Sequence, residues 1–212
     1  VIKIASNNNL SDSILSKMEE HSKPIENNYG TVKDGLKAYE RGKGKPKQPA
    51  DKEEFKIFKG SKTYFAQSRL EPSYRKFLNG SDVQRYSIFW SGEYLKYGSN
   101  LAAPRNSKIF EGDRILIARI PVKSRYAFRA TITDDEYVHE QSIESISELK
   151  VSPLFLLGVL NSGVVSYYAI QKFDFLQRST FPQMRLGQIK QFPIPNATEQ
   201  QQEEIAQLVQ SI

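Results

Sequence analysis

Short apolar runs separated by turn residues fill the middle of this 212-residue chain and limit its possible folds more than any other feature. Between residues 29 and 146, each run is bounded by Gly, Pro, Asn or Asp. The clearest is Arg114 to Ile120, R-I-L-I-A-R-I, which follows the turn at Glu111–Asp113. Runs of this kind between turn residues are typical of β-strands. The pattern therefore predicts a β-rich middle region.

Weaker runs predict further strands. They lie at Phe55–Phe58, Ser87–Trp90, Tyr126–Thr133 and Tyr137–His139. Three acidic residues, Asp134–Glu136, stand between the last two runs and could in principle hold a hard cation. Because two predicted strands flank them, we expect instead the solvated tip of a hairpin.

Helical spacing marks both ends of the chain. Residues 10–20 have the apolar spacing of a short amphipathic helix. Ser152–Pro153 is a helix start, and the apolar stretch 154–170 after it predicts a buried helix. A membrane span is the alternative, but polar and glycine residues interrupt a run that barely reaches spanning length. Thr198, with Gln201 three residues later, forms a capping box for a last helix.

These patterns together predict an α+β fold. We expect a twisted, mostly antiparallel β-sheet core with flanking helices, including a buried C-terminal helix pair. Along the chain, residues 1–24 would form an N-terminal helix and linker, 25–150 the β-rich core, and 151–212 a helical part packed on the same domain. Since the chain begins with Val1 and carries no charged-then-apolar leader, we expect a fragment of a longer protein.

The common catalytic and metal-binding motifs are missing from the sequence. Without cysteine there are no disulfides, thiolates or cysteine-based zinc sites, and a cytoplasmic protein is the expectation. His21 and His139 lack ligand spacing. There is no Walker loop, no G-x-S-x-G elbow, no glycine-rich cofactor loop and no Asn/Asp-Pro-Pro-aromatic tetrapeptide. We therefore expect a non-catalytic chain without a metal or cofactor of its own.

One enzyme alternative stays open, a metal-dependent nuclease. Asp51, Glu54 and Lys56 have the residue types that such a site uses. The two carboxylates, however, lie close together in sequence, whereas nucleases usually take them from different strands. This alternative predicts magnesium-dependent DNA cutting.

Positive charge is concentrated in one glycine-containing segment. The chain carries a net charge of +6 and has a pI of about 9.3. Five basic residues lie within eleven positions, namely Lys37, Arg41, Lys43, Lys45 and Lys47. Glycines and a proline alternate with them, which predicts a flexible loop able to follow a phosphate backbone. A solvated surface loop is the alternative.

Several arginines accompany aromatic residues or end predicted strands. They are Arg85 with Tyr86, Arg105, Arg119, and Arg125 with Tyr126. The guanidinium fork matches guanine edges and phosphates, and tyrosine can stack on bases or donate to phosphate. Singly, each is better explained by surface ion pairing or by packing at the edge of the core, but together on one β-rich body they favour a nucleic-acid partner.

The sequence F-L-N-G-S-D-V-Q-R-Y at residues 77–86 resembles the TaqI-like C-terminal specificity domain of adenine-N6 methyltransferases and fused type IIG restriction enzymes. The similarity continues through residues 93–97 and 104–119, where Arg119 matches an arginine near a strand end. A second block, F-L-L-G-V-L-N-S-G-V-V-S-Y-Y at 155–168, resembles the family's leucine-asparagine-serine helix. I-K-Q-F-P-I-P at 189–195 matches the stretch before the last helix.

The resemblance implies a target-recognition domain that reads double-stranded DNA for a restriction-modification adenine-N6 methyltransferase. Methyl transfer, with S-adenosylmethionine, would belong to a methyltransferase domain of the same polypeptide outside this chain, and no membrane is involved. The expected DNA-binding residues are Arg41, Lys43, Lys45, Lys47, Arg85, Tyr86, Arg105, Arg119, Arg125 and Tyr126. The alternative from another class is a protein-interaction or structural module of a larger enzyme.

Overall fold

The computed structural model describes residues 8–173 and 182–212. Of the predicted end segments 1–24 and 151–212, residues 1–7 and 174–181 therefore lie outside the described residues. Within the described part, helices flank several mostly antiparallel sheets. The predicted α+β class is confirmed.

Helices lie mainly at the two ends of the chain and strands in its middle. The helices are α1 (Asn8–Glu20), α2 (Ile25–Asn28, one distorted turn), α3 (Lys52–Gly60), α4 (Pro153–Leu160), α5 (Gly163–Lys172), α6 (Leu186–Ile189) and α7 (Glu199–Gln210). The strands are β1 (Ser22–Pro24), β2 (Thr31–Asp34), β3 (Phe65–Ala66), β4 (Tyr74–Leu78), β5 (Val83–Gln84), β6 (Ser87–Ile88), β7 (Tyr94–Lys96), β8 (Arg114–Ala118), β9 (Ala130–Thr133), β10 (Val138–His139), β11 (Ile143–Ser147) and β12 (Pro193–Pro195).

The strands form two four-stranded sheets and two short pairs. The first sheet has the antiparallel order β2–β11–β8–β9, and the C-terminal helices pack on it. The second has the order β10–β4–β7–β3, in which only β10 and β4 run parallel. An apolar cluster, which includes Leu78 of β4 and Leu116 of β8, joins the two sheets. The β5–β6 hairpin contributes Val83 to this joining cluster.

The predicted strand Phe55–Phe58 is wrong, because these residues belong to α3. The Asp51 carboxylate caps this helix by accepting hydrogen bonds from the backbone N–H groups of Glu53 (2.9 Å) and Glu54 (3.0 Å). Phe58 packs edge-on against Tyr39, while Ile57 is exposed. Over four residues, alternation and helical spacing look alike, and the cap decides between them.

The acidic residues Asp134–Glu136 are not a hairpin tip. The strand before them, β9, belongs to the first sheet, whereas β10 after them pairs with β4 in the second. The segment is therefore a crossover between sheets. The fully buried Arg114 fixes it by donating to the backbone carbonyls of Asp135 and Tyr137.

The apolar stretch 154–170 is two helices rather than one. Asn161 and Ser162 separate α4 from α5, and the helix axes differ by 53°. Among the described helices, none is by itself long and apolar enough to cross a membrane; this bent pair meets the length and composition criteria only when taken together. Most of α4 is buried, with Phe155, Leu156 and Leu160 inside the core.

Candidate nucleic-acid interface

A buried aspartate organises the segment that carries Arg85 and Tyr86. The Asp82 carboxylate is 5% exposed and accepts hydrogen bonds from Asn79 N (2.9 Å) and Ser91 Oγ (3.1 Å). These bonds close the turn that leads into the β5–β6 hairpin. The hairpin has a two-residue loop, Arg85–Tyr86, in which Tyr86 has a φ of 66°. Non-glycine residues rarely adopt this left-handed conformation, so the loop is held by its surroundings.

Asn161, at the break between α4 and α5, holds this loop against β9. Its side chain is fully buried and makes two hydrogen bonds to the backbone of Ala130, accepting from N (2.9 Å) and donating to O (3.0 Å). The Asn161 carbonyl accepts a hydrogen bond from Arg85 Nη2 (3.1 Å), and Tyr86 N donates to Ala130 O (2.9 Å). The two sequence blocks that carry the family resemblance therefore meet at one point.

Ser166 fixes the neighbouring loop, residues 122–127. Its Oγ accepts from Ala127 N (2.9 Å) and donates to Ser162 O (3.1 Å). Val122 N donates to Ala127 O, and Ser124 Oγ accepts from Tyr126 N. The Ser166 side chain, in α5, thus helps to position this loop opposite the β5–β6 hairpin.

The hairpin and the loop enclose a surface cleft of about 520 Å³, which we call the arginine–aromatic cleft. Its lining residues are Gln84, Arg85, Ser87, Phe89, Val122, Ser124, Tyr126 and Arg129. Of the predicted DNA-binding residues, the structure brings together Arg85, Tyr126 and Arg125, with Tyr86 in the hairpin loop beside them.

Two arginines of this region lie against the ring of Tyr126, and the arginines here have no acidic partners. The Arg85 guanidinium carbon lies 4.3 Å from the Tyr126 ring centroid, and that of Arg125 lies 4.6 Å from it. No carboxylate lines the cleft, and within the described chain none of Arg85, Arg125 and Arg129 forms an ion pair. The Nε atoms of Arg85 and Arg129 are buried without a hydrogen-bond partner. Burial lowers the pKa of Arg129 from its usual value, so an anion in the cleft would relieve an unfavourable environment.

Arg105 and Arg119, by contrast, are bound within the protein around Asp34. Arg119 is 15% exposed and donates to the carbonyls of Met184 (Nε, 2.9 Å) and Gln141 (Nη1, 2.8 Å). Its Nη1 lies 3.4 Å from Asp34, and Arg105 Nη2 lies 3.6 Å from the same carboxylate. Most of the donors of Arg119 are therefore already used.

Glu144 lies fully buried beside this group, with its Oε1 3.2 Å from Arg119 Nε. Burial, together with the nearby Asp34 carboxylate, raises the pKa of Glu144 to about 9, although Arg119 and Arg105 act in the opposite direction. The raised pKa favours the neutral form of Glu144 at pH 7, so Asp34 is the main carboxylate partner of Arg105 and Arg119, and we call these three residues the Asp34 group.

The basic loop exposes Arg41, Lys43, Lys45 and Lys47 to solvent. Its backbone is not free, contrary to the prediction of a flexible loop. Buried Gln48 donates to Ala38 O (2.8 Å) and Asn100 O (3.1 Å), and Lys45 N donates to Ser99 O (2.7 Å). Gly44 has a φ of +85°, and a Cβ there would lie 2.4 Å from Asn100 O. The charged side chains thus project from an anchored loop.

Sequence reasoning missed three residues of the site. Phe89 and Arg129 line the cleft, and Asn161 holds its frame. Phe89 falls within the predicted strand Ser87–Trp90, and Arg129 falls within the predicted strand Tyr126–Thr133. Neither sequence pattern distinguishes a binding residue from any other strand residue. Asn161 could have been found, because a polar residue breaking a long apolar stretch often has buried hydrogen-bond partners.

The sequence profile of the TaqI-like C-terminal specificity domain matches residues 75–194. This is more than half of the chain. Comparison with the sequences of characterised proteins gives no significant match. The matched residues include both the Arg85–Tyr86 hairpin and Asn161.

Two solved structures share the fold. The type IIG restriction endonuclease BpuSI has a TM-score of 0.56 and 11% identity over 99% of this chain. The type IIL restriction-modification enzyme MmeI, whose structure was determined in complex with DNA, has a TM-score of 0.51 and 12% identity over 88% of this chain. The chain spans 28% of the length of each of these enzymes. Because the identities are low, these structures support the fold, and the family assignment depends on the sequence profile.

The profile match includes both sequence blocks, which the hydrogen bond between Arg85 and Asn161 joins in the fold. The structural neighbours of the chain are restriction-modification enzymes. The chain is therefore a member of the TaqI-like C-terminal specificity domain family.

Proposed function

We propose that this chain recognises double-stranded DNA sequence-specifically and performs no chemistry itself. The observation that carries the proposal is the arginine–aromatic cleft, where Arg85, Arg125 and Arg129 have no carboxylate partner. Cations without counter-ions favour an anionic ligand, most strongly where they are partly buried, as Arg85 and Arg129 are, and planar guanidinium groups suit phosphates and guanine edges. Residues Arg85, Arg125, Tyr126 and Arg129 would contact the DNA there, whereas Tyr86 packs against the main core and supports the hairpin loop from behind.

Two other groups of basic residues have different roles in this proposal. The exposed basic loop, Arg41 to Lys47, tracks the phosphate backbone and supplies affinity that depends on salt. Arg105 and Arg119 act indirectly, because Asp34 and backbone carbonyls already bind them. They fix the chain where the first sheet meets the loop that leads to the cleft.

The catalytic partner in this proposal is a methyltransferase domain of the same polypeptide, which would bind S-adenosylmethionine and methylate adenine at N6. A base-flipping enzyme needs a separate surface that selects the base, and a specificity domain supplies it. The family and the greater length of BpuSI and MmeI support this assignment. An apolar groove of about 480 Å³ between α1, α4 and α7, with Val164, Leu208 and Ile212 at its exposed edge, suits contact with such a domain.

Binding to random-sequence duplex DNA at increasing salt, followed by fluorescence anisotropy, tests the cleft. The variant pair Arg125→Gln and Arg129→Gln should lower affinity at low salt by about tenfold or more. If both arginines contact phosphates, it should also reduce the slope of log affinity against log salt by about 2. The matched control is the pair Lys52→Gln and Arg69→Gln, which also removes two positive charges, at exposed positions outside the cleft.

Three results would count against the proposal. Absence of DNA binding by the wild-type chain at low salt would favour a protein-interaction module. Equal loss of affinity in the cleft and control variants would show that only net charge matters. Magnesium-dependent cutting by the chain alone would instead support a nuclease.

A further inference from the structure

Phe89 is an exposed aromatic side chain at the edge of the arginine–aromatic cleft. It is 70% exposed, and no other aromatic side chain within residues 10–173 and 182–212 is classed as exposed. Val122, on the loop that forms the other wall, is also exposed and lines the same cleft. Together Phe89 and Val122 expose apolar surface at a cleft that is otherwise lined by arginines and polar side chains, and apolar surface with a polar rim is typical of a binding site.

The backbone of Phe89 is rigidly held. Its N–H donates to the carbonyl of Asp82 (2.9 Å), the residue whose buried carboxylate closes the preceding turn. The neighbours on both sides, Ile88 and Trp90, pack against the cluster between the sheets. Trp90 Nε1 also donates to the carbonyl of Phe77 (3.0 Å). The backbone beneath the ring is therefore fixed by hydrogen bonds, and binding has to order only the side chain of Phe89.

The surroundings of Phe89 match the chemistry of a nucleotide rather than that of an apolar protein segment. Arg85 and Arg129 line the same cleft, and Arg125 lies against Tyr126 in its wall, with no acidic residue in the lining. An apolar partner would leave these cations desolvated and unpaired. A polynucleotide offers both an aromatic face and an anion within one repeat.

We propose that Phe89 inserts into bound duplex DNA and stacks on a nucleobase, while the arginines of the cleft bind the flanking phosphates. This inference rests on the proposed function. Apolar side chains inserted at a base step partly unstack it and kink the duplex, which adds sensitivity to the deformability of the DNA sequence. Phe89 would then contribute to specificity without any hydrogen bond to a base edge.

The test uses the 212-residue chain and a random-sequence duplex in which 2-aminopurine replaces adenine in one strand. Insertion unstacks the probe, so wild-type protein should raise its fluorescence on binding. Phe89→Ala should abolish this rise and weaken binding about tenfold, the loss expected for one stacking contact, with the salt slope unchanged. Phe89→Trp should retain the rise, and Phe89→Leu should restore it only partly.

Leu70→Ala is the matched control, since Leu70 is 67% exposed and lies outside the cleft. It should bind and unstack DNA like the wild type. Thermal unfolding of each variant should be unchanged, because both side chains are mostly in water.

A wild-type chain that binds DNA without a rise in fluorescence, or a Phe89→Ala variant that retains the rise, would overturn the insertion and leave the proposed function standing. Loss of all DNA binding in the wild type would overturn both.

Discussion

At the scale of single residues, the buried polar side chains explain most of the motif that identifies the family. Asp82 closes the turn before the hairpin, and Asn161 joins α4 to β9 while its carbonyl holds Arg85. Each satisfies backbone groups that burial would otherwise leave without partners, which would cost about 1–3 kcal/mol per group. These residues position the cleft and do not need to touch a ligand.

Glu144 is a buried residue whose ionisation opposes folding. Its folded-state pKa of about 9 lies above the ordinary value of 4.5. Its contribution to stability is therefore complete below pH 4.5 and is lost as pH rises towards 9. Glu144→Gln should remove this dependence, so the variant should gain stability relative to wild type by about 4 kcal/mol between pH 5 and pH 8. Urea unfolding of both proteins across this range measures the difference.

His139, which is also fully buried, does not affect that comparison. Burial lowers its pKa to about 4, so it weakens folding as pH falls below its usual value of 6.5, and it does so equally in both proteins. A wild type that is more stable than Glu144→Gln at pH 8 would show that the carboxylate is ionised and paired with Arg119.

At the scale of elements, α4 is the element on which the other C-terminal parts assemble. It is apolar on all sides because β9 covers one side and α7 covers another. Its end at Asn161 is also the point that fixes the hairpin loop. Local propensity cannot predict such an element fully, since an all-apolar helix gives no amphipathic face to orient it.

The approach of α7 to α4 depends on Gly158. A Cβ at this position would lie 2.9 Å from methyl carbons of both Ile205 and Val209. Gly158→Val should therefore push α7 away and lower the free energy of unfolding by about 1–3 kcal/mol, as overpacking typically does. Chemical denaturation would measure the loss, and hydrogen exchange should show it concentrated in α7.

Gly187→Val is a suitable comparison, because nothing lies within 4 Å of a Cβ at Gly187. An equal loss of stability in the two variants would mean that backbone propensity, rather than the close approach to α7, is responsible.

At the scale of the whole molecule, the basic residues fall into separate groups on different parts of the fold. The basic loop is anchored to the segment 99–100, whereas the arginine–aromatic cleft is built on β5, β6 and the loop after β8. The Asp34 group lies at the end of β2, where that strand leads towards the basic loop. If one duplex contacts both the loop and the cleft, their contributions should add.

Reversing three charges in the loop tests this additivity. Lys43→Glu, Lys45→Glu and Lys47→Glu together should reduce the salt slope of DNA binding by about 3. Combined with Arg125→Gln and Arg129→Gln, the two reductions should sum, because distant sites are usually independent. Anisotropy titrations measure both. An unchanged affinity after the triple reversal would exclude the loop from the DNA surface and favour a protein partner.

The sequence alone determined the features that local chemistry controls. The capping residues Ser152 and Thr198 set the starts of α4 and α7, the run at Arg114–Ile120 gave β8, and the motif around Arg85 identified the family. The strand predicted at Phe55–Phe58 was wrong because four residues do not distinguish a helix from a strand. Tertiary structure decided which cations are free. Arg119 and Arg125 look alike in sequence. Long-range folding brings Asp34 and Met184 to Arg119 and so occupies its donors, whereas Arg125 lies beside Tyr126 without a carboxylate partner.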